Sequence, residues 1–260
     1  QYTVLNSPDQ GVVVRAIVDL EYHAQFLDAL ALDASHKIII HIGGVYGDKD
    51  AAKDRFVKTY KRLSSVVKDR LIIENDDRLY TIADVLEISE RTGAPVVYDN
   101  LHNASNPSHP ERSDAEWIVR AKETWTESDG PMKIHYSQQN PNARMGAHTQ
   151  TIYIKPFMHF YEEVAPLEVD IMLEVKDKNL SALKANLATK KQPNLHDLEK
   201  EWARYKYLVL SYSPKNYQAI RSLLKDKTAY PVVEFYTLIE EALDTEPKKN
   251  VELNAFDHVW

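Results

Sequence analysis

Five short, mostly apolar runs in this chain each end in a residue able to ligate a metal ion. Ile38-Ile39-Ile40 runs into His41, Leu71-Ile72-Ile73 into Glu74, and Pro95-Val96-Val97-Tyr98 into Asp99. Met132-Lys133-Ile134 then runs into His135, and Val169-Asp170-Ile171-Met172-Leu173 into Glu174. Parallel strands covered on both faces read as near-continuous apolar runs, and their carboxyl ends gather on one rim. The pattern therefore predicts a parallel sheet with Glu74, Asp99, Glu174 and several imidazoles around a common cavity. A purely structural sheet would gather those carboxylates without counter-charge, which is costly.

Helical segments fill the gaps between the runs. Ser7-Pro8 fits an N-cap followed by proline at the first helical position, opening a helix from about Asp9 to Leu32. A second helix is expected over about Asp50–Val67, and a third opens at Thr81 and stops at Gly93. A long polar loop follows Asp99, then helices near Ser113–Thr124 and Lys155–Val164, with a loop at Gln138–Thr151. From about Asn179 the chain reads as three or four helices broken at Pro193, Pro214 and Pro231. Strand–helix alternation implies right-handed crossovers in an α/β fold. A closed barrel needs eight such units. The chain opens on Gln1 as a strand is finishing, so the expectation is a (β/α)8 TIM barrel whose first strands lie upstream. One domain over residues 1–260, with a helical tail from about residue 179, is the expected organisation. An open doubly wound sheet is the alternative.

Composition narrows the function classes. The formal charge of −7 argues against a broad basic face for nucleic acid. Two or three dications bound by the carboxylates would offset about four to six of those charges inside the cleft, so the charge alone does not decide the substrate. The chain has no cysteine, which rules out disulfides, thiolate metal sites and a cysteine nucleophile. No apolar run reaches the roughly 18 residues of a membrane span, and the first residues lack the pattern of a signal peptide. A cytoplasmic monomer is expected.

Imidazole and carboxylate ligands without sulfur suit Mn²⁺, Zn²⁺, Fe²⁺ or Mg²⁺. Asp99-x-x-His102 lets both side chains reach one ion. His148, in the loop after the fourth strand, reads equally well as a surface histidine. Lys133 shares strand parity with His135 and so is expected to face the same cavity. An ammonium beside dications is disfavoured, which suggests a neutral or carbamylated lysine. Asp76 and Asp77 read as partners of the ligands or as a capping pair.

Several motifs in order carry a resemblance to a known family. They are His41-Ile-Gly-Gly-x-Tyr-Gly-Asp-Lys49, Leu71-Ile-Ile-Glu-Asn-Asp-Asp77, Asp99-Asn-Leu-His102, Lys133-Ile-His-Tyr-Ser137 and Met172-Leu-Glu-Val-Lys-Asp-Lys178. With Tyr207-Leu-Val-Leu210 and Val232-Val-Glu-Phe-Tyr236 in the tail, the chain resembles the UV damage endonuclease family over nearly its whole length. The resemblance implies a barrel similar to endonuclease IV, with two or three divalent ions, usually manganese. It implies a nick in duplex DNA immediately 5′ to ultraviolet photoproducts, leaving a 3′-hydroxyl and a 5′-phosphate and starting excision repair. Its metal ligands would be His41, Glu74, Asp99, His102, His135, His148 and Glu174, with Lys133 the modified lysine beside them. Gln1 and Tyr2 match a pair that wedges into the duplex at the lesion. The family's His-Pro ahead of that pair, and a further metal histidine, fall outside this sequence.

In the mechanism this implies, Glu174 holds or deprotonates the attacking water, and Arg144 and Lys178 are candidate phosphate contacts. Two rival readings remain open. One is a metal-dependent sugar isomerase or epimerase on a related barrel; the other is a chain that binds damaged DNA without cutting it.

Overall fold

A computed structural model describes residues 3–245. Gln1 and Tyr2 lie outside the described residues. The five apolar runs form strands β1 (Ile38–His41), β2 (Leu71–Glu74), β3 (Val96–Asp99), β4 (Lys133–Tyr136) and β5 (Asp170–Leu173). They make one parallel sheet in the order β1-β2-β3-β4-β5, with helices between successive strands. This is the α/β architecture that the alternating pattern predicts. Every residue of β2 and β3 is buried, which is why those runs show no polar alternation. Register does the rest for the site: His41 pairs with Glu74, Asp99 with His135, and Tyr136 with Leu173, one residue before Glu174.

Several helix ends differ from the expectation. Helix α1 (Gln10–Ala29) is capped by Asp9, whose carboxylate accepts from Gly11 N at 2.7 Å. Ser7 does not cap it, because its hydroxyl is used to accept from Asp9 N instead. The second predicted helix is two, α2 (Lys49–Lys61) and the short α3 (Ser65–Lys68), since Ser64 restarts the helix as a new N-cap. Helix α4 (Ile82–Thr92) keeps its predicted ends. A reciprocal Thr81/Asp84 box starts it, and Gly93 stops it at φ 78°, a left-handed conformation that glycine adopts without steric cost. The expected polar loop after β3 begins as a helix, α5 (Asn100–Ser105), because Asp99 itself serves as its N-cap. Helices α6 (Asp114–Lys122) and α7 (Ile154–Val164) complete the alternation.

The chain divides into two compact units. The first is Gln1–Thr149 with Glu163–Val175, and the second is Gln150–Glu162 with Lys176–Trp260. The second contains α8 (Asn179–Ala188), α9 (Leu195–Tyr212), α10 (Pro214–Leu223) and α11 (Val232–Leu243). Its interior is tied by buried Lys184, which donates to Glu240 at 2.7 Å and to the Ile152 carbonyl at 2.6 Å. All the strands belong to the first unit. Among the described residues, no helix is long and apolar enough to cross a membrane.

Candidate metal centre

Each strand delivers a residue at or beside its carboxyl end to the same place. Glu74, at the end of β2, is buried and lies at the middle of the cluster. Its Oε1 is 2.9 Å from His135 Nδ1 and 3.5 Å from His102 Nδ1, and its Oε2 is 3.1 Å from His41 Nε2. His135 Nδ1 is also 3.1 Å from Glu174 Oε1, and Glu174 Oε2 is 3.7 Å from His148 Nε2. The His41 and His102 rings meet edge to face, with centroids 5.3 Å apart. The structure thus brings together His41, Glu74, Asp99, His102, His135, His148 and Glu174.

The donor atoms fall into two overlapping groups. His41, Glu74 and His102 form one; Glu74, Asp99, His135 and Glu174 form the other; within each, the donor atoms lie within 4.8 Å of one another. Glu74 belongs to both. A buried carboxylate shared by two donor groups is placed to serve two cations.

Electrostatics follows from crowding opposite charges out of water. Burial alone would raise the Glu74 carboxyl, but hydrogen bonds from His102, His135 and His41 outweigh it and hold the group well below the usual carboxylate range. Asp99 goes the other way. Burial, reinforced by the charges of Glu74 and Glu174 and only partly opposed by His102, pushes it up to about 6. Burial disfavours the charged forms of His102 and His135, yet the neighbouring carboxylates win and raise them to about 9 and about 10. A hydrogen bond from His135 lowers Glu174.

Two atoms of the cluster are left over. Asp99 Oδ1 caps α5 by accepting from His102 N at 2.8 Å, but Asp99 Oδ2 is buried without a hydrogen-bond partner. His135 Nε2 is likewise buried and unpartnered. Buried polar atoms are rarely left unpaired, and both are of the kind that coordinates a cation. The donor set therefore fits divalent metal ions.

Residues outside the predicted set hold the ligands in place. Asn75, fully buried, donates from Nδ2 to Asp99 O at 3.0 Å and accepts at Oδ1 from Asp99 N at 2.9 Å. Its carbonyl lies 2.9 Å from His102 Nδ1. Carbonyls do not donate, so this contact places the proton on Nδ1 and leaves Nε2 as the available ligand atom. Asn75 follows Glu74 directly, and that adjacency to a strand-end ligand is the only local signal that could have marked it. Asp76 accepts from the backbone N–H groups of Arg78, Leu79 and Tyr80, shaping the turn after β2. Asp77 pairs with Arg78 at 3.3 Å and does not cap α4, a task that Thr81 performs.

Lys133 departs from the expectation. Its Nζ lies against the carbonyls of Ser35 at 3.2 Å and Pro131 at 3.3 Å, and over the Trp125 ring at 5.6 Å. These residues precede β1 and β4, so the ammonium sits at the amino ends of the strands, away from the ligands. Parity fixed the side of the sheet for Lys133, but not the end toward which its long side chain turns. Arg144 is exposed in the loop between β4 and His148, and exposed Lys178 belongs to the second unit.

Fold and cluster together define a class: α/β proteins with an imidazole–carboxylate cluster at the carboxyl ends of parallel strands. The UV-endonuclease UvdE family model matches residues 1–203, and the chain belongs to that family. Residues 206–260 match a second model, described as a protein of unknown function (DUF1722). The UV DNA damage endonuclease of Clostridium perfringens (strain 13 / Type A) is 41% identical over 249 residues, covering 94% of this chain and 58% of the relative. That of Bacillus pumilus (strain SAFR-032) is 32% identical over 186 residues, covering 71% of this chain and 58% of the relative. This chain thus spans rather more than half the length of these relatives. The crystal structure of SacUVDE superposes with a TM-score of 0.68 at 41% identity, covering 74% of this chain and 63% of that one.

Proposed function

We propose that this chain carries the catalytic cluster of a metal-dependent DNA-repair endonuclease acting on ultraviolet-damaged duplex. The nick would fall 5′ to the photoproduct, leaving a 3′-hydroxyl and a 5′-phosphate. The observation that carries this reading is Glu74, a buried carboxylate that belongs to both donor groups. His41, Glu74 and His102 would hold one cation. Glu74, Asp99, His135 and Glu174 would hold another, with His148 joining through Glu174. Mn²⁺ is the cation expected, in two or three sites. Divalent ions in such a site neutralise a phosphodiester's charge and lower the pKa of bound water.

The chain's own residues supply the remainder. The Glu174 side chain is 32% exposed, against 5% for Glu74, so it is the carboxylate able to meet a water. His135 occupies its Oε1 and favours the ionised form. Oε2 is left to orient the attacking water and accept its proton, with His148 Nε2 beside it. Arg144 and Lys178 would bind backbone phosphates, trading solvated positive charge for a fixed anion. Gln1 and Tyr2 would occupy space in a stack already weakened by the photoproduct, since damaged bases cost less to unstack.

The test uses end-labelled duplex, irradiated or not, incubated with Mn²⁺ or with chelator. A single nick 5′ to the lesion, present only with irradiation and Mn²⁺, is the expected result. Cutting indifferent to either condition would overturn the proposal. Lesion binding without a nick at saturating Mn²⁺ would leave a binding protein in its place.

A further inference from the structure

The loop that carries His148 has almost no hydrophobic anchor of its own. Pro141, Asn142, Ala143, Arg144 and Met145 are all exposed, Met145 at 66%. Ordering such a segment costs backbone entropy at every residue, so something polar has to hold it. The base of the loop is an antiparallel bridge between Gln139 and His148, supported by Asn140 N to Ala147 O at 2.7 Å and Thr149 N to Gln138 O at 3.0 Å. Within that ring lies the side-chain amide of Gln139. Its Oε1 accepts from Gly146 N at 2.8 Å, and its Nε2 donates to the carbonyls of Asn140 at 2.7 Å and Arg144 at 3.0 Å. One neutral side chain thus satisfies three backbone groups of the loop.

The far side of the loop is also fixed. Gly146 has φ +79°, and a Cβ there would stand 2.8 Å from Asp77 Oδ2. The loop therefore lies against the Asp77 side chain, in a left-handed conformation that favours glycine.

We propose that Gln139 is a positioning residue: by templating residues 140–147 it presents the His148 imidazole to Glu174 and the cation cluster. The proposal rests on the metal-dependent reading given above. Only a group that both donates and accepts can do this. A carboxylate would keep the acceptor for Gly146 N–H but would set a negative charge against two carbonyls.

The test is a double-mutant cycle on Mn²⁺ binding, read by electron paramagnetic resonance of free Mn²⁺, with amide exchange on the metal-free proteins. Gln139→Ala should weaken Mn²⁺ binding by about 10–100-fold, the usual effect of removing a residue that orients a ligand. Gln139→Glu should behave like the alanine variant. In a His148→Ala background, Gln139→Ala should change Mn²⁺ affinity no further, because its effect acts through that imidazole. Gly146 N–H should exchange faster in Gln139→Ala than in the wild type, with the melting midpoint of the strand core retained. Unchanged Mn²⁺ affinity, or an equal loss in the His148→Ala background, would overturn the proposal. If the wild type binds no Mn²⁺, the metal reading fails; unchanged Gly146 exchange would then independently sink the loop template.

Discussion

Replacing Asp99 by asparagine should have opposite effects with and without cations. In the folded, metal-free protein the Asp99 carboxyl is pushed from 3.8 up to about 6 by burial and by Glu74 and Glu174, with His102 opposing. A raised acidic group contributes fully below its unfolded value and loses that contribution as pH rises through its folded value. The cost of ionising Asp99 therefore builds between about pH 4 and pH 6 and is complete above. A shift of about two units corresponds to about 3 kcal/mol. The asparagine side chain would be neutral, and its oxygen would still accept from His102 N and cap α5. Its NH2 group would stand where Asp99 Oδ2 is now buried and unpartnered, in a cluster that holds the Glu74 and Glu174 carboxylates. An amide caps somewhat less strongly than a carboxylate beside a helix N-terminus, so the net expectation at pH 7.5 is about 2 kcal/mol of added stability. For a chain of this size that raises the melting midpoint by about 4–8 °C in chelator.

Cations should reverse the order. A ligand present at 100 times its dissociation constant stabilises the fold by about 2.7 kcal/mol, and the amide cannot replace the lost anionic ligand. The assay is thermal melting of both proteins at pH 7.5, in chelator and across a Mn²⁺ titration. The two midpoint curves should cross. If the variant melts below the wild type in chelator, the account of Asp99 as a strained anion is wrong. If Mn²⁺ raises both midpoints equally, Asp99 is not a ligand.

Three further outcomes are expected. Asn75→Ala should weaken Mn²⁺ binding by about 10–100-fold and cost about 1–3 kcal/mol in urea unfolding, because the amide partners of the Asp99 backbone are lost. Asp84→Asn should cost about 1.5–3 kcal/mol near neutral pH, since the carboxylate accepts from Lys49 at 2.5 Å and Lys53 at 2.8 Å. Burial opposes ionisation of Asp84, but those two lysines and Thr81 outweigh it and lower its pKa. Its contribution is present above the unfolded value and lost as pH falls through the folded one, so wild-type and variant urea midpoints should converge below about pH 4. Lys133→Met should leave Mn²⁺ affinity within about twofold in a direct titration, since Nζ sits with Ser35 and Pro131 at the other end of the strands. A loss of about tenfold or more, equivalent to about 1.4 kcal/mol, would return the lysine to the site.

The sequence by itself determined the strands, because a doubly covered parallel strand has to be apolar throughout and its first polar residue marks the rim. It also determined the ends of α4, where Thr81, Asp84 and Gly93 satisfy backbone groups through purely local bonds. Only the tertiary structure decided which of the rim residues touch. Glu74 became the shared carboxylate because parallel register sets His41 beside it and brings His135 within 2.9 Å. The same holds for Asn75, a polar residue like many others until β3 arrives to pair with it, and for His148, whose place depends on a loop folded around Gln139. Lys133 gives the converse case: its position in the strand fixed the face, but the partners that hold its ammonium include a segment far away in sequence. Local bonds are written in neighbouring residues, whereas contacts between strand ends exist only once register and crossover have brought distant residues within a few ångströms.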